Sequence, residues 1–133
     1  MRLIKIFLLL GLIYVGVVVT FESLLGYFQP ADSQTMVITT FDADGNGSDR
    51  VVARLETDGE LYVAANHWPR AWYREALAND RVNITFNGIT ASYKAVLLKG
   101  ADHDRVNADH ALPLGFRILT GFPPRYLMRL DPL

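Results

Sequence analysis

The 133-residue chain contains no cysteine. That excludes disulfides, thiolate nucleophiles and every zinc site built on sulfur. Histidine is scarce, at three residues, and none falls in an H-E-x-x-H order. Neither a glycine-rich phosphate loop nor a Ser-His-Asp order can be assembled, so no catalytic residue is named by motif. Excess positive charge is missing too: 13 Lys/Arg stand against 14 Asp/Glu. Nucleic acid is therefore not expected as a partner, because phosphate binding needs a basic stripe. Internal repeats and low-complexity tracts are also lacking, and the length suits one domain with a modest core.

What is present begins at the amino terminus. Half of the residues are hydrophobic, and many lie in "MRLIKIFLLLGLIYVGVVVTFESLLGYFQP". Arg2, Lys5 and Glu22 are the only charges there, and residues 6–21 carry none. With Lys5 snorkelling toward headgroups, the run approaches the roughly 20 residues that a spanning helix needs. It is apolar on every face, unlike a surface helix, and no A-x-A site follows it, as a cleaved signal would require. The expectation is one transmembrane anchor over residues 1–30, ended by Pro30, and a separate domain over 31–133. Arg2 and Lys5 precede the span while Glu22 and Asp32 follow it. The positive-inside rule then places the domain on the non-cytoplasmic side of the membrane.

The domain alternates short β signals with tight turns. "TMVITTF" (Thr35–Phe41) is rich in β-branched residues. "RVVARLE" and "ELYVAAN" flank Asp58-Gly59, and "RVNITF" meets "ITASYKAVLLK" at Asn87-Gly88, both strong hairpin signals. "RYLMRLDP" (125–132) reads as a closing strand. "RAWYREALAND" has helical spacing at Trp72, Ala76 and the Tyr73/Leu77 pair, and "ADHDRVNADHAL" reads as a second helix with Val106 and Leu112 inward. About six antiparallel strands with short inserted helices make a mainly β (α+β) fold, a closed or partly open barrel. A barrel hides sheet edges that would otherwise aggregate.

Three stretches carry chemistry. "DADGNGSD" places Asp42, Asp44 and Asn46 as in the first half of a calcium loop, but the closing ligand position falls on Ala53. A solvated hairpin turn explains it better. His103 and His110 lie about 10 Å apart along a presumed helix, too far to share a metal, and no metal site is expected. The third stretch is the corner "AANHWPRAWYREALAND". A strand hands over to a helix there, helix N–H groups attract anions, Arg70 and Arg74 add charge, and Trp68 and Trp72 offer flat faces. Such a corner suits a phosphorylated aromatic cofactor. A barrel plug made by Trp72, Tyr73 and Leu77 is the structural alternative.

The order "RVVARLETDGELYVAAN" and then "PRAWYREALAND-RVNITF" resembles the deazaflavin (F420)-dependent nitroreductase and quinone reductase family. The correspondence runs over about residues 35–132: 64–66 match its V-A-S, Ala71-Trp72-Tyr73 its P-x-W-Y helix, and Asn79-Asp80 its "NP". The resemblance implies a split β-barrel related to pyridoxamine-phosphate-oxidase-like flavin-binding proteins. It also implies a cofactor against the strand of Arg50, Val51 and Ala53, touching Ala65, Asn66, His67, Arg70 and Trp72. The loop "NHWPR" is shorter than the family's, and "ADGNGSD" is acidic or neutral where the family's hairpin is basic. F420, flavin mononucleotide (FMN), another ligand or none all stay open.

Two functions follow. One is a membrane-anchored oxidoreductase moving a hydride from reduced deazaflavin or flavin to a quinone or nitro-type acceptor. The other is a non-catalytic anchored barrel that binds a flavin-like ligand or a protein partner. A homodimer is compatible with either. The calcium-like loop yields a separate test: its missing last ligand predicts that calcium leaves the melting temperature unchanged. A calcium-dependent rise abolished by Asp44→Ala would contradict that.

Overall fold

A computed structural model describes residues 1–27, 34–66 and 71–133. They form two compact units, one of residues 29–111 with 125–133 and one of residues 1–28 with 112–124.

The larger unit holds the seven strands β1 (Thr35–Phe41), β2 (Gly47–Ala53), β3 (Leu55–Thr57), β4 (Glu60–Ala65), β5 (Val82–Phe86), β6 (Ile89–Leu97) and β7 (Tyr126–Pro132). They make one antiparallel sheet in the order β2-β1-β5-β6-β7-β4-β3, curled into a split barrel with β2 approaching β4. Seven strands rather than six arise because the run 50–56 is broken at Arg54. On one side of the break the chain pairs with β1, on the other with β4. The Arg54 N–H makes the last bond on the β1 side, donating to the Gln34 carbonyl at 2.9 Å.

Turn chemistry sets the hairpin registers. Asp58 and Gly59 take φ 53° and 78°, Asn87 and Gly88 49° and 75°, the paired left-handed conformation of a two-residue turn. The β1–β2 turn is closed by Asp42 instead. Its carboxylate accepts the N–H groups of Asp44 and Asn46, each at 2.9 Å, and hydrogen bonding led by Asn46 holds the carboxyl below its usual range.

Among the described residues two helices complete this unit, α2 (Ala71–Ala78) and α3 (Gly100–Asp109). Trp72 and Ala76, four apart on α2, enter the barrel core with Met36, Ile38, Val52, Val63, Ala65 and Ile84. Glu75 reaches β1, where the buried Thr40 hydroxyl donates to it at 2.8 Å. Val106 of α3 is fully buried, as expected, in a second cluster with Tyr62, Leu98 and Leu127 on the sheet's outer face. Leu112 was expected on the same helix but lies beyond its end. His110 leaves helical geometry at φ −121°, ψ 42°, and Pro113 disfavours helix just before it.

The smaller unit pairs α1 (Arg2–Tyr27) with the six-residue α4 (Leu114–Leu119). Within α1, residues 2–25 are long and apolar enough to cross a membrane. Periodicity does not reveal α4, whose single turn and a half is too short for a pattern.

Trp72 is 8% exposed, so truncating it removes core volume. Trp72→Ala is expected to destabilise the fold by about 3–5 kcal/mol, and the exposed neighbour substitution Arg74→Ala to stay within about 0.5 kcal/mol. Chemical denaturation of both variants checks this.

Candidate functional site

The barrel mouth is built where β4 ends and α2 begins. β4 pairs with β7 in the register Leu61↔Leu130 through Ala65↔Tyr126. The residues just beyond that ladder are Asn66 and Arg125. The Arg125 Nε donates to the Asn66 side-chain oxygen at 2.8 Å. Its Nη1 donates to the Asn107 side-chain oxygen at 3.0 Å and the His110 carbonyl at 2.6 Å. Three neutral oxygens thus surround one guanidinium, and burial weakens its hold on its proton. Occupation of the Asn66 oxygen leaves the amide NH2 as the group this residue offers. Among the described residues that NH2 has no partner.

Both histidines of α3 and its end belong to this scaffold. His103 Nε2 lies 3.0 Å from the Arg125 carbonyl. His110 Nε2 lies 3.0 Å from the Thr57 hydroxyl and 3.1 Å from the Glu56 carbonyl. They tie α3 and the following turn to β3 and to the start of β7. Among the described residues no group of three His, Asp or Glu could hold a metal.

The second wall is β2. Arg50 stands opposite Ile38 in the β1–β2 ladder. Ile38 is fully buried, and facing residues share a side of the sheet, so Arg50 points to the core side with Val52. It is partly buried, and burial alone lowers its proton affinity. Among the described residues no carboxylate pairs with Arg50 or with Arg125. The barrel thus holds two desolvated cations within a chain of net charge −1, an arrangement that favours an anionic ligand. Val51 and Ala53 lie on the opposite face, with Ala53 exposed. β2 is also a sheet edge; among the described residues its one strand partner is β1, which leaves a second row of peptide groups for a polar planar group.

Of the residues marked by sequence, Ala65 and Trp72 join Val52 in one buried cluster. Val51 and Ala53 flank Val52, Arg50 precedes it on the same face, and Asn66 follows Ala65. His67 and Arg70, with Trp68, lie outside the described residues. Tyr73 and Leu77, expected with Trp72 as a plug, pack against that cluster, and Tyr73 also stacks on Tyr126 with centroids 4.9 Å apart and planes at 22°. Arg125 escaped sequence reasoning. Its only signal is a cation between Pro123-Pro124 and an apolar strand, and its three partners come from two distant segments.

Chemically the arrangement can bind and orient. It offers cations, amide donors and flat apolar walls.

No family profile matches this chain, and no curated protein matches its sequence. Solved structures do share its fold. The haem storage protein HutZ from Vibrio cholerae is 18% identical with a TM-score of 0.59, over 86% of each chain. A structure described as a domain-swapped dimer is 18% identical with a TM-score of 0.62, over 84% of this chain and 94% of that one. An F420-H2 dependent reductase, FDR-A, is 19% identical with a TM-score of 0.55, over 76% of this chain and 98% of that one. At these identities the likeness is one of fold: the chain is a split barrel of the kind found in these proteins.

Proposed function

We propose that this chain is a membrane-anchored split-barrel oxidoreductase that uses a reduced deazaflavin or flavin to reduce a quinone or a similar lipid-soluble acceptor. The observation that carries this reading is the desolvated Arg50 on edge strand β2. A partly buried cation without a carboxylate partner among the described residues is unfavourable unless an anion shares its site. A phosphorylated, planar cofactor supplies that anion and a polar ring edge for the β2 peptide groups.

In this reading Arg50 and Arg70 hold the phosphate. The edge peptide groups of Val51 and Ala53 meet the ring, while Ala65, Asn66, His67 and Trp72 bound it. Arg125 fixes the Asn66 oxygen, so the amide hydrogens point at a defined place. The hydride chemistry belongs to the cofactor; the protein contributes position, charge and exclusion of water. α1 keeps the site beside the bilayer, where a lipid-soluble acceptor is concentrated, and the barrel lies on the non-cytoplasmic side. The domains are the anchor over 1–30 and the barrel over 31–133, whose residues 112–124 pack with α1, and the fold shared with a domain-swapped dimer supports a homodimer.

A second reading has a specific observation behind it. The β1–β2 turn presents no cation, and the Asp42 carboxylate is turned onto its own backbone. A barrel that only binds or stores its ligand needs no such cation, and HutZ, described as a haem storage protein, has the same fold.

Titration of the purified full-length protein with FMN and with F420, followed by fluorescence, tests the first reading. Arg70→Ala and Arg50→Met should each weaken binding roughly tenfold to a hundredfold, the loss of a charge-assisted contact of about 1.5–3 kcal/mol. Melting temperature should change little for Arg70→Ala. Binding of neither cofactor by the wild-type chain would discard the oxidoreductase reading.

A further inference from the structure

The segment between α3 and β7, "LPLGFRILTGFPP" (112–124), runs along α1 rather than with the sheet. Three contacts trace its path. Phe116 meets Phe21 edge to face, with centroids 5.9 Å apart and planes at 77°. The Ile118 carbonyl accepts the Tyr14 hydroxyl at 2.9 Å. Gly121 passes Val18 so closely that a Cβ would stand 3.1 Å from the Val18 side chain. Residues 14, 18 and 21 form one face of α1. In chain order the segment touches α1 at 21, then 14, then 18, so it descends toward the amino-terminal half of α1 and returns. At 1.5 Å per residue the turning point lies about 16 Å from Leu25, near mid-depth of a hydrocarbon core of about 30 Å.

Its polar groups are handled as apolar surroundings demand. Three carbonyls at the end of α4 each accept two hydrogen bonds. Phe116 takes the Thr120 N–H and hydroxyl at 3.0 and 2.9 Å. Arg117 takes the Phe122 N–H at 2.9 Å and the Thr120 hydroxyl at 3.2 Å. Ile118 takes the Gly121 N–H at 3.2 Å besides the Tyr14 hydroxyl. Pro113, Pro123 and Pro124 contribute no N–H at all. On α1, Thr20 and Ser23 return their hydroxyls to the Gly16 and Val19 carbonyls at 2.8 and 2.7 Å. The outward side chains are apolar: Leu114 is 63% exposed, Ile118 42%, Leu119 38% and Phe122 50%. Arg117 is the segment's single charge. Its guanidinium sits 5.4 Å from the Phe122 ring centroid, and its long stem can carry it to the headgroups.

The geometry points to a re-entrant membrane segment. Residues 112–124 enter the leaflet at the carboxyl end of α1, pack along Tyr14, Val18 and Phe21, and leave on the same side, with lipid acyl chains covering Leu114, Ile118, Leu119 and Phe122. Non-helical backbone at that depth requires satisfied polar groups and protein on one side, and α1 with the doubled carbonyl bonds supplies both. This rests on α1 being the anchor proposed above. It adds a second membrane element and assigns lipid as the occupant of an otherwise exposed apolar surface.

The absence of cysteine makes the test direct. Val15→Cys, Leu119→Cys, Phe122→Cys and Ile89→Cys variants of the full-length protein are each labelled with an environment-sensitive fluorophore and reconstituted in phosphatidylcholine vesicles. Each is then exposed to an acyl-chain spin-label quencher and, separately, to aqueous iodide. Labels at 119 and 122 should lose fluorescence to the lipid quencher and resist iodide, as the label at 15 does, while the label at 89 does the reverse. Lipid quenching at 15 with iodide quenching at 119 and 122 would overturn the re-entrant segment and leave the anchor standing. Iodide quenching at 15 as well would overturn both.

Discussion

The pairing of β4 with β7 is the constraint on which the rest of the barrel depends, because both faces of the pair are buried. Val63, Ala65, Met128 and Leu130 fill the barrel, while Tyr62 and Leu127 pack beneath α3. A slip of one residue would exchange these sets and drive the Tyr62 ring into space occupied by Val63. It would also remove Asn66 from Arg125. Register, core and mouth are therefore a single problem with one solution.

Arg125 transmits that solution to the mouth. Its guanidinium is bonded to neutral oxygens of β4's end, α3 and the turn after α3, and its own carbonyl lies against His103. A half-buried cation held this way is costly to strand, so the elements are locked together. The positive charge is not cancelled by these partners. With Arg50 it makes two partly buried cations in a chain of net charge −1.

Much of the fold was legible in the chain. β1 occupies Thr35–Phe41 as its β-branched residues suggested, and Asp58-Gly59 and Asn87-Gly88 make their hairpins because few other pairs adopt positive φ so readily. Trp72 and Ala76 face the core at helical spacing. The break at Arg54 was hidden, since a run of β-formers looks the same whether it keeps one partner or changes to another. α4 was hidden for a different reason: its hydrogen-bond partners and its Tyr14 contact come from outside any short window.

Local chemistry written in the sequence by itself determined the apolar amino-terminal helix, the hairpin turns and the alternation that produces a sheet. Such features depend on neighbours a few residues away, so order along the chain suffices. Tertiary structure alone decided which polar residues meet. Asn66, Asn107, His110 and Arg125 converge only because β4 pairs with β7 and α3 packs behind them, and residues 112–124 meet α1 across about a hundred positions of chain. A buried hydrogen bond depends on distance and angle in space, and separation along the chain carries neither.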